Sequence, residues 1–155
     1  MDKNRIFQKI KDILKVDKDT IYDIFILSGY QIPRKRVDGY LKARDDKEFL
    51  DIGYESFGHF LDGLIIYKRG ENYKKKAQNS ERLTNNKILK KLRVAFELKE
   101  SDIFAIFKSV GIDITKGELS SLFRSEDHKK FRYCPDSILE LFLDGLDIYL
   151  NKKES

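Results

Sequence analysis

The chain has no tryptophan, one cysteine and only two prolines in 155 residues. A single cysteine, Cys134, excludes an internal disulfide. No apolar run approaches the ~20 residues that a membrane-spanning helix needs. The opening Met1-Asp2-Lys3-Asn4-Arg5 also lacks the apolar stretch of a secretory signal. These absences predict a cytoplasmic protein with no membrane association. A strong excess of one charge is missing too. Against 31 basic side chains stand 26 acidic ones, a net charge of +5. The excess is thin everywhere: 14 basic and 12 acidic residues in 1–70, four and two in 71–85, 13 and 12 in 86–155. A nucleic-acid-binding protein usually concentrates its charge on one face, so charge alone makes nucleic acid a secondary reading.

What remains is the composition of a globular chain, 41% apolar and 37% charged with the signs mixed. A chain of this length buries roughly 70% of its unfolded surface. Half of it would sit near the limit of independent stability, which favours two halves packed on each other.

Two such halves are legible. Residues 4–67 align with 86–149 at a constant offset of 82, without a gap, and 18 of the 64 pairs are identical. Asn4/Asn86, Ile21/Ile103, Phe25/Phe107, Gly29/Gly111, Asp45/Asp127 and Phe49/Phe131 are among them. The strongest run sets Phe60-Leu61-Asp62-Gly63-Leu64 against Phe142-Leu143-Asp144-Gly145-Leu146. The apolar residues recur with helical period throughout. The first helix carries Ile6, Phe7, Ile10, Ile13 and Leu14, answered by Ile88, Leu89, Leu92, Ala95 and Phe96. The second, with Ile21, Ile24 and Phe25 or Ile103, Ile106 and Phe107, stops at Gly29 or Gly111, where a left-handed residue is wanted. Asp17 is placed to cap it in the first copy and Ser101 in the second. The third helix opens at Pro33 in one copy and at Thr115, three residues before Glu118, in the other. An ordered loop of roughly twelve residues then leads to the fourth helix.

The reading is therefore all-α: helical repeat 1 over 1–70, a charged, flexible linker over 71–85, and helical repeat 2 over 86–155. A mid-helix glycine costs ~1 kcal/mol relative to alanine, so its recurrence at Gly63 and Gly145 implies close helix approach. The expectation drawn from it is that the two fourth helices pack on each other, through Asp62, Gly63 and Ile66 against Asp144, Gly145 and Ile148.

The stretches Asn85-Asn86-Lys87-Ile88-Leu89-Lys90-Lys91-Leu92-Arg93-Val94-Ala95-Phe96, Asp102-Ile103-Phe104-Ala105-Ile106-Phe107 and Asp127-His128-Lys129-Lys130-Phe131-Arg132 resemble the bacterial YehS family, as does the Phe-Leu-x-Gly-Leu run of both halves. The resemblance covers nearly the whole chain. It implies a duplicated helical domain and carries no activity, because that family has no established one. Cys134-Pro135-Asp136 fits its pattern, whereas the first copy has Ile52-Gly53-Tyr54.

No catalytic, metal or cofactor signature stands out. His128 and Cys134 could form a dyad, but the first copy has Asp46 and Ile52 there, and no second ligand lies at metal spacing. A pair of carboxylates, Asp62 with Asp144, is the one enzymatic alternative. Basic side chains on the first helices, Arg5, Lys9 and Lys11 with Lys87, Lys90, Lys91 and Arg93, could track phosphates. Arg34, Lys35 and Arg36 could do so at a helix-turn-helix-like third helix. That turn is about two residues too long, and Lys116-Gly117-Glu118 replaces the triplet in the second copy. The leading expectation is a non-enzymatic module that binds a protein or its own copies. Nucleic-acid binding or regulation comes second, and no cofactor or small-molecule ligand is indicated.

Overall fold

The computed structural model describes residues 2–77 and 82–151. Among them there are helices and no strand. The chain divides into two compact units, Met1–Leu83 and Thr84–Ser155. The first holds α1 (Lys3–Leu14), α2 (Lys18–Leu27), α3 (Arg34–Tyr40) and α4 (Tyr54–Arg69), with a 3-10 segment at Glu71–Ala77. The second repeats the order as α5 (Asn85–Ala95), α6 (Glu100–Ser109), α7 (Lys116–Phe123) and α8 (Asp136–Asn151).

The helix boundaries follow from local chemistry. The Asp2 and Asp17 carboxylates accept from the backbone N–H groups of Arg5 and Thr20, which caps α1 and α2. Gly29 and Gly111 take φ of +82° and +81° after α2 and α6. At α7 the reciprocal cap is complete: Glu118 N–H donates to Thr115 Oγ1 and Thr115 N–H to Glu118 Oε1. The start of α6 departs from expectation. Its N-cap is Lys99, whose N–H donates to the Asp102 carboxylate, and Ser101 is not the cap. Asp102 also accepts from the Tyr149 hydroxyl of α8. In the second unit a carboxylate at the third helical position thus pairs the N-cap N–H, whereas Asp17 in the first pairs the N–H of the third helical residue, Thr20.

Part of the stretch read as linker has regular structure. Residues 71–77 form the 3-10 segment, which packs back on α4. The Arg69 guanidinium lies 4.5 Å from the Tyr73 ring. Leu83 is buried, Thr84 caps α5 through Lys87 N–H, and Asn85 is already helical. The remaining linker positions, 78–81, lie outside the described residues.

The glycine expectation is corrected at the level of the partner. A Cβ on Gly63 would lie 1.9 Å from the Ile24 carbonyl oxygen, and one on Gly145 2.4 Å from that of Ile106. Each glycine lets the fourth helix of a unit close on the second helix of the same unit. Helical period identifies the face that needs room, but not the helix that fills it.

The two cores differ in their filling. In the first unit Phe7, Phe25, Tyr40, Phe57 and Phe60 form one aromatic cluster, with Phe7 and Phe60 4.8 Å apart edge to face. Three of those five positions are leucine in the second unit: Leu89, Leu122 and Leu139. There the ring pair Phe107–Phe142, at 5.5 Å, stands in place of the cluster.

Candidate binding site

The loop between the third and fourth helices is built identically in both units. Asn4 is 4% exposed and Asn86 3%. The Asn4 amide donates to the carbonyls of Tyr40 (3.3 Å) and Leu50 (2.8 Å), and its oxygen accepts from Ile52 N–H (3.0 Å). Asn86 does the same to Leu122 (2.9 Å), Arg132 (2.8 Å) and Cys134 (2.9 Å). One buried amide thus pairs three backbone groups that would otherwise be buried unpaired. The sequence shows the asparagine as an identity, yet its partners lie 36 to 48 residues away and leave no local signal. The loop backbones also match. Leu50 N–H donates to Gly39 carbonyl and Arg132 N–H to Ser121 carbonyl. Asp46 accepts from Glu48 N–H, and the His128 Nδ1 accepts from Lys130 N–H.

On this common frame the side chains diverge, and in the second unit they leave a half-open cleft of about 680 Å³. Its floor is apolar: Phe107, Ile112, Ile114, Leu122, Pro135 and Ile138. Lys129, Lys130 and Arg132 line it with Tyr133, which is 68% exposed, and so do Asp113 and Glu118. No ion pair engages the three cations among the described residues. Glu118 is held by its cap, and the Thr115 N–H keeps its carboxyl below the usual range. The volume lies within the span of ligand pockets, ~300–1,000 Å³.

In the first unit the matching space is packed. Tyr30, Tyr40 and Ser56 replace Ile112, Leu122 and Ile138, and both tyrosine hydroxyls meet the buried Ser56 Oγ at 3.1 Å. The Tyr30 ring stacks on His59 at 4.2 Å. Leu50, which replaces Arg132, lies across Gly39: a Cβ there would be 2.6 Å from its Cδ1. Among the described residues the side chains at the cleft's positions thus differ between copies, and no motif in either copy announces the cleft.

The comparisons with known proteins fit this duplicated plan. The family described as "Protein of unknown function (DUF1456)" matches residues 3–70 and again 85–151. The chain belongs to the DUF1456 family. It is 35% identical over 144 residues to "Uncharacterized protein YehS" of Escherichia coli (strain K12), covering 92% of each chain. No solved structure matches it. The two DUF1456 segments coincide with α1–α4 and α5–α8, so the resemblance to YehS and the tandem helical plan both hold.

Within this DUF1456 chain the residues singled out from sequence fall in several environments. Asp62 is fully buried on α4, while its counterpart Asp144 is exposed on α8. Ile66 is buried and Ile148 half-buried. Cys134 is a core residue, 4% exposed, at the position Ile52 fills in the first unit. Burial, and then Asp136, push its thiol up to about 12. His128 serves the loop turn through Nδ1.

Of the basic set, Lys90 donates to the Arg124 carbonyl, and Arg93 donates to the Leu98 carbonyl while lying 4.8 Å over the Phe123 ring. Arg34 lies in a hollow of about 180 Å³, paired with Asp19 at 2.8 Å and stacked 4.1 Å from Tyr22. Lys35 and Arg36 are exposed beside it, Arg5 is exposed on α1, and Lys9, Lys11, Lys87 and Lys91 are half-buried. Lys129, Lys130 and Arg132, quoted in the sequence only for their resemblance, are the cations that line the larger cleft. No group of three or more metal-ligating side chains occurs among the described residues, and no described helix is long and apolar enough to cross a membrane.

Proposed function

We propose that the protein is a non-enzymatic, cytoplasmic protein-interaction module whose first unit is a filled scaffold and whose second unit holds the partner. The cleft of about 680 Å³ carries this reading: apolar side chains beside three cations, at positions where Tyr30, Tyr40 and Ser56 join one another in the first unit. The floor is mainly aliphatic, which suits apolar side chains of a partner. The side chains that chemistry would draw on have other work, with the Cys134 thiol buried and His128 in a turn.

A benzophenone amino acid placed at position 133 and irradiated in cells tests this. Discrete protein adducts are expected, absent when the benzophenone is at exposed Val94 instead and lost on Ile138→Arg. Irradiation that yields no protein adduct at position 133 would sink the reading.

Nucleic acid is a second reading, favoured by one feature: exposed Tyr133 stands beside Lys129, Lys130 and Arg132, as a base-stacking platform in a cationic groove does. It requires salt-dependent retention of single-stranded oligonucleotides, abolished when those three cations are reversed.

A further inference from the structure

The duplicated loops share a backbone and carry opposite charge. Residues 45–51 hold four carboxylates, Asp45, Asp46, Glu48 and Asp51, and one cation, Lys47. Residues 127–133 hold three cations, Lys129, Lys130 and Arg132, and one carboxylate, Asp127. The net charge reverses on one frame through Glu48/Lys130, Leu50/Arg132 and Asp51/Tyr133, while Asp45/Asp127 and Lys47/Lys129 are unchanged, and the Asp46 and His128 side chains make the same turn contact. Asp51 reaches Arg44 at 3.7 Å, whereas no ion pair engages Asp45, Asp46 or Glu48 among the described residues. The acidic loop also offers an apolar side chain. Leu50 packs one side on Gly39, yet remains 38% exposed between Phe49 and Asp51.

From this complementarity we infer that the occupant of the second unit's cleft is the acidic 45–51 loop of another copy of this chain. Leu50 goes to the floor formed by Ile112, Leu122 and Ile138, and the flanking carboxylates meet Lys129, Lys130 and Arg132. The inference rests on the interaction-module reading and names its partner. Contact of unlike patches is heterologous, so each copy has both a donor loop and an acceptor cleft. Opposite charges across such a contact set register and speed encounter.

The test is the association state of the full chain by sedimentation velocity, in about 0.1 M salt and again in about 1 M, where screening shortens to roughly 3 Å. Association is expected at the lower salt and should weaken at the higher. Asp45→Lys/Glu48→Lys/Asp51→Lys should weaken it at least about tenfold, a change of about 1.4 kcal/mol. Lys129→Glu/Lys130→Glu/Arg132→Glu should do the same. Both sets on one chain restore opposite signs across the contact, so association should return. Asp46 is left in place because it caps the loop turn, and all six altered positions are exposed, so circular dichroism should confirm unchanged helix content.

A monomeric wild-type chain overturns the inference, as does association that survives either triple change or fails to return in the combined chain. Adducts at position 133 that join the chain only to other proteins overturn self-recognition and leave the interaction module standing. Absence of any adduct removes both.

Discussion

The most consequential single residues are the two buried asparagines. Each replaces water for two carbonyls and one N–H at the junction of three segments. A typical hydrogen bond contributes ~1 kcal/mol net, and a buried polar group left without a partner costs ~1–3 kcal/mol. Asn86→Ala should therefore cost about 3 kcal/mol in urea unfolding, with a marked fall in the denaturation midpoint. A loss below ~1 kcal/mol would mean that water reaches the loop and that Asn86 is not its clamp. Cys134 behaves in the opposite sense, as an apolar residue. Its raised thiol pKa favours the neutral form in the folded state. The sign follows: the stabilisation is complete below the ordinary pKa of 9.0 and is lost as pH rises from there toward about 12. Each unit in that window costs up to about 1.4 kcal/mol. Wild type should lose stability relative to Cys134→Val between pH 9 and 11, and at pH 8 a thiol reagent should modify Cys134 only in urea. Rapid labelling of the folded chain would contradict this.

At the scale of elements, two helix pairs close through glycine. The Gly63 Cβ position is only 1.9 Å from the Ile24 carbonyl oxygen, and that of Gly145 is 2.4 Å from the oxygen of Ile106. The obstacles are backbone atoms and cannot rotate away. Overpacking of this kind costs ~1–3 kcal/mol, more than the ~1 kcal/mol that alanine gains in helix propensity. Gly63→Ala should destabilise by about 2 kcal/mol and Gly145→Ala by less. Gly117→Ala, in the first turn of α7 with its nearest obstacle 4.0 Å away, should stabilise by ~0.5 kcal/mol. Denaturant unfolding of the three variants checks the order, and a stabilising Gly63→Ala would refute the close approach. The elements were also where the sequence was most readable. Apolar residues exchanged for apolar ones at a fixed offset mark every helix, and Gly29, Gly111, Asp17 and Thr115 mark ends that the structure keeps. What could not be read were partners. Gly63 reveals a need for space without naming α2, and Ser101 looks a better cap than Lys99 until Asp102 is seen to reach back.

For the molecule as a whole, duplication has separated filling from opening. The first unit places five aromatic rings in its core and ties Tyr30 and Tyr40 to Ser56; the second has leucine and isoleucine at the matching cleft positions. A cavity made by missing volume has no sequence motif, which is why the basic residues read from helical faces, such as Lys90 and Arg93, proved to be engaged within the unit while Lys129, Lys130 and Arg132 line the opening. If openness is the function, it is retained against a gain in stability, because burying a large side chain contributes ~1.5–3 kcal/mol. Moving the first unit's filling across, as Ile112→Tyr/Leu122→Tyr/Ile138→Ser, should then close the cleft and join the new rings through the serine hydroxyl. The variant is expected to keep its helix content and to unfold at the same temperature as wild type or a few degrees higher. It should also lose the photo-crosslinks at position 133 and the low-salt association. Crosslinking that persists in a well-folded triple variant would show that the cleft is not where partners bind. A variant that no longer folds would show that the two units do not share an interchangeable frame, against the matched asparagine clamps and loop turns.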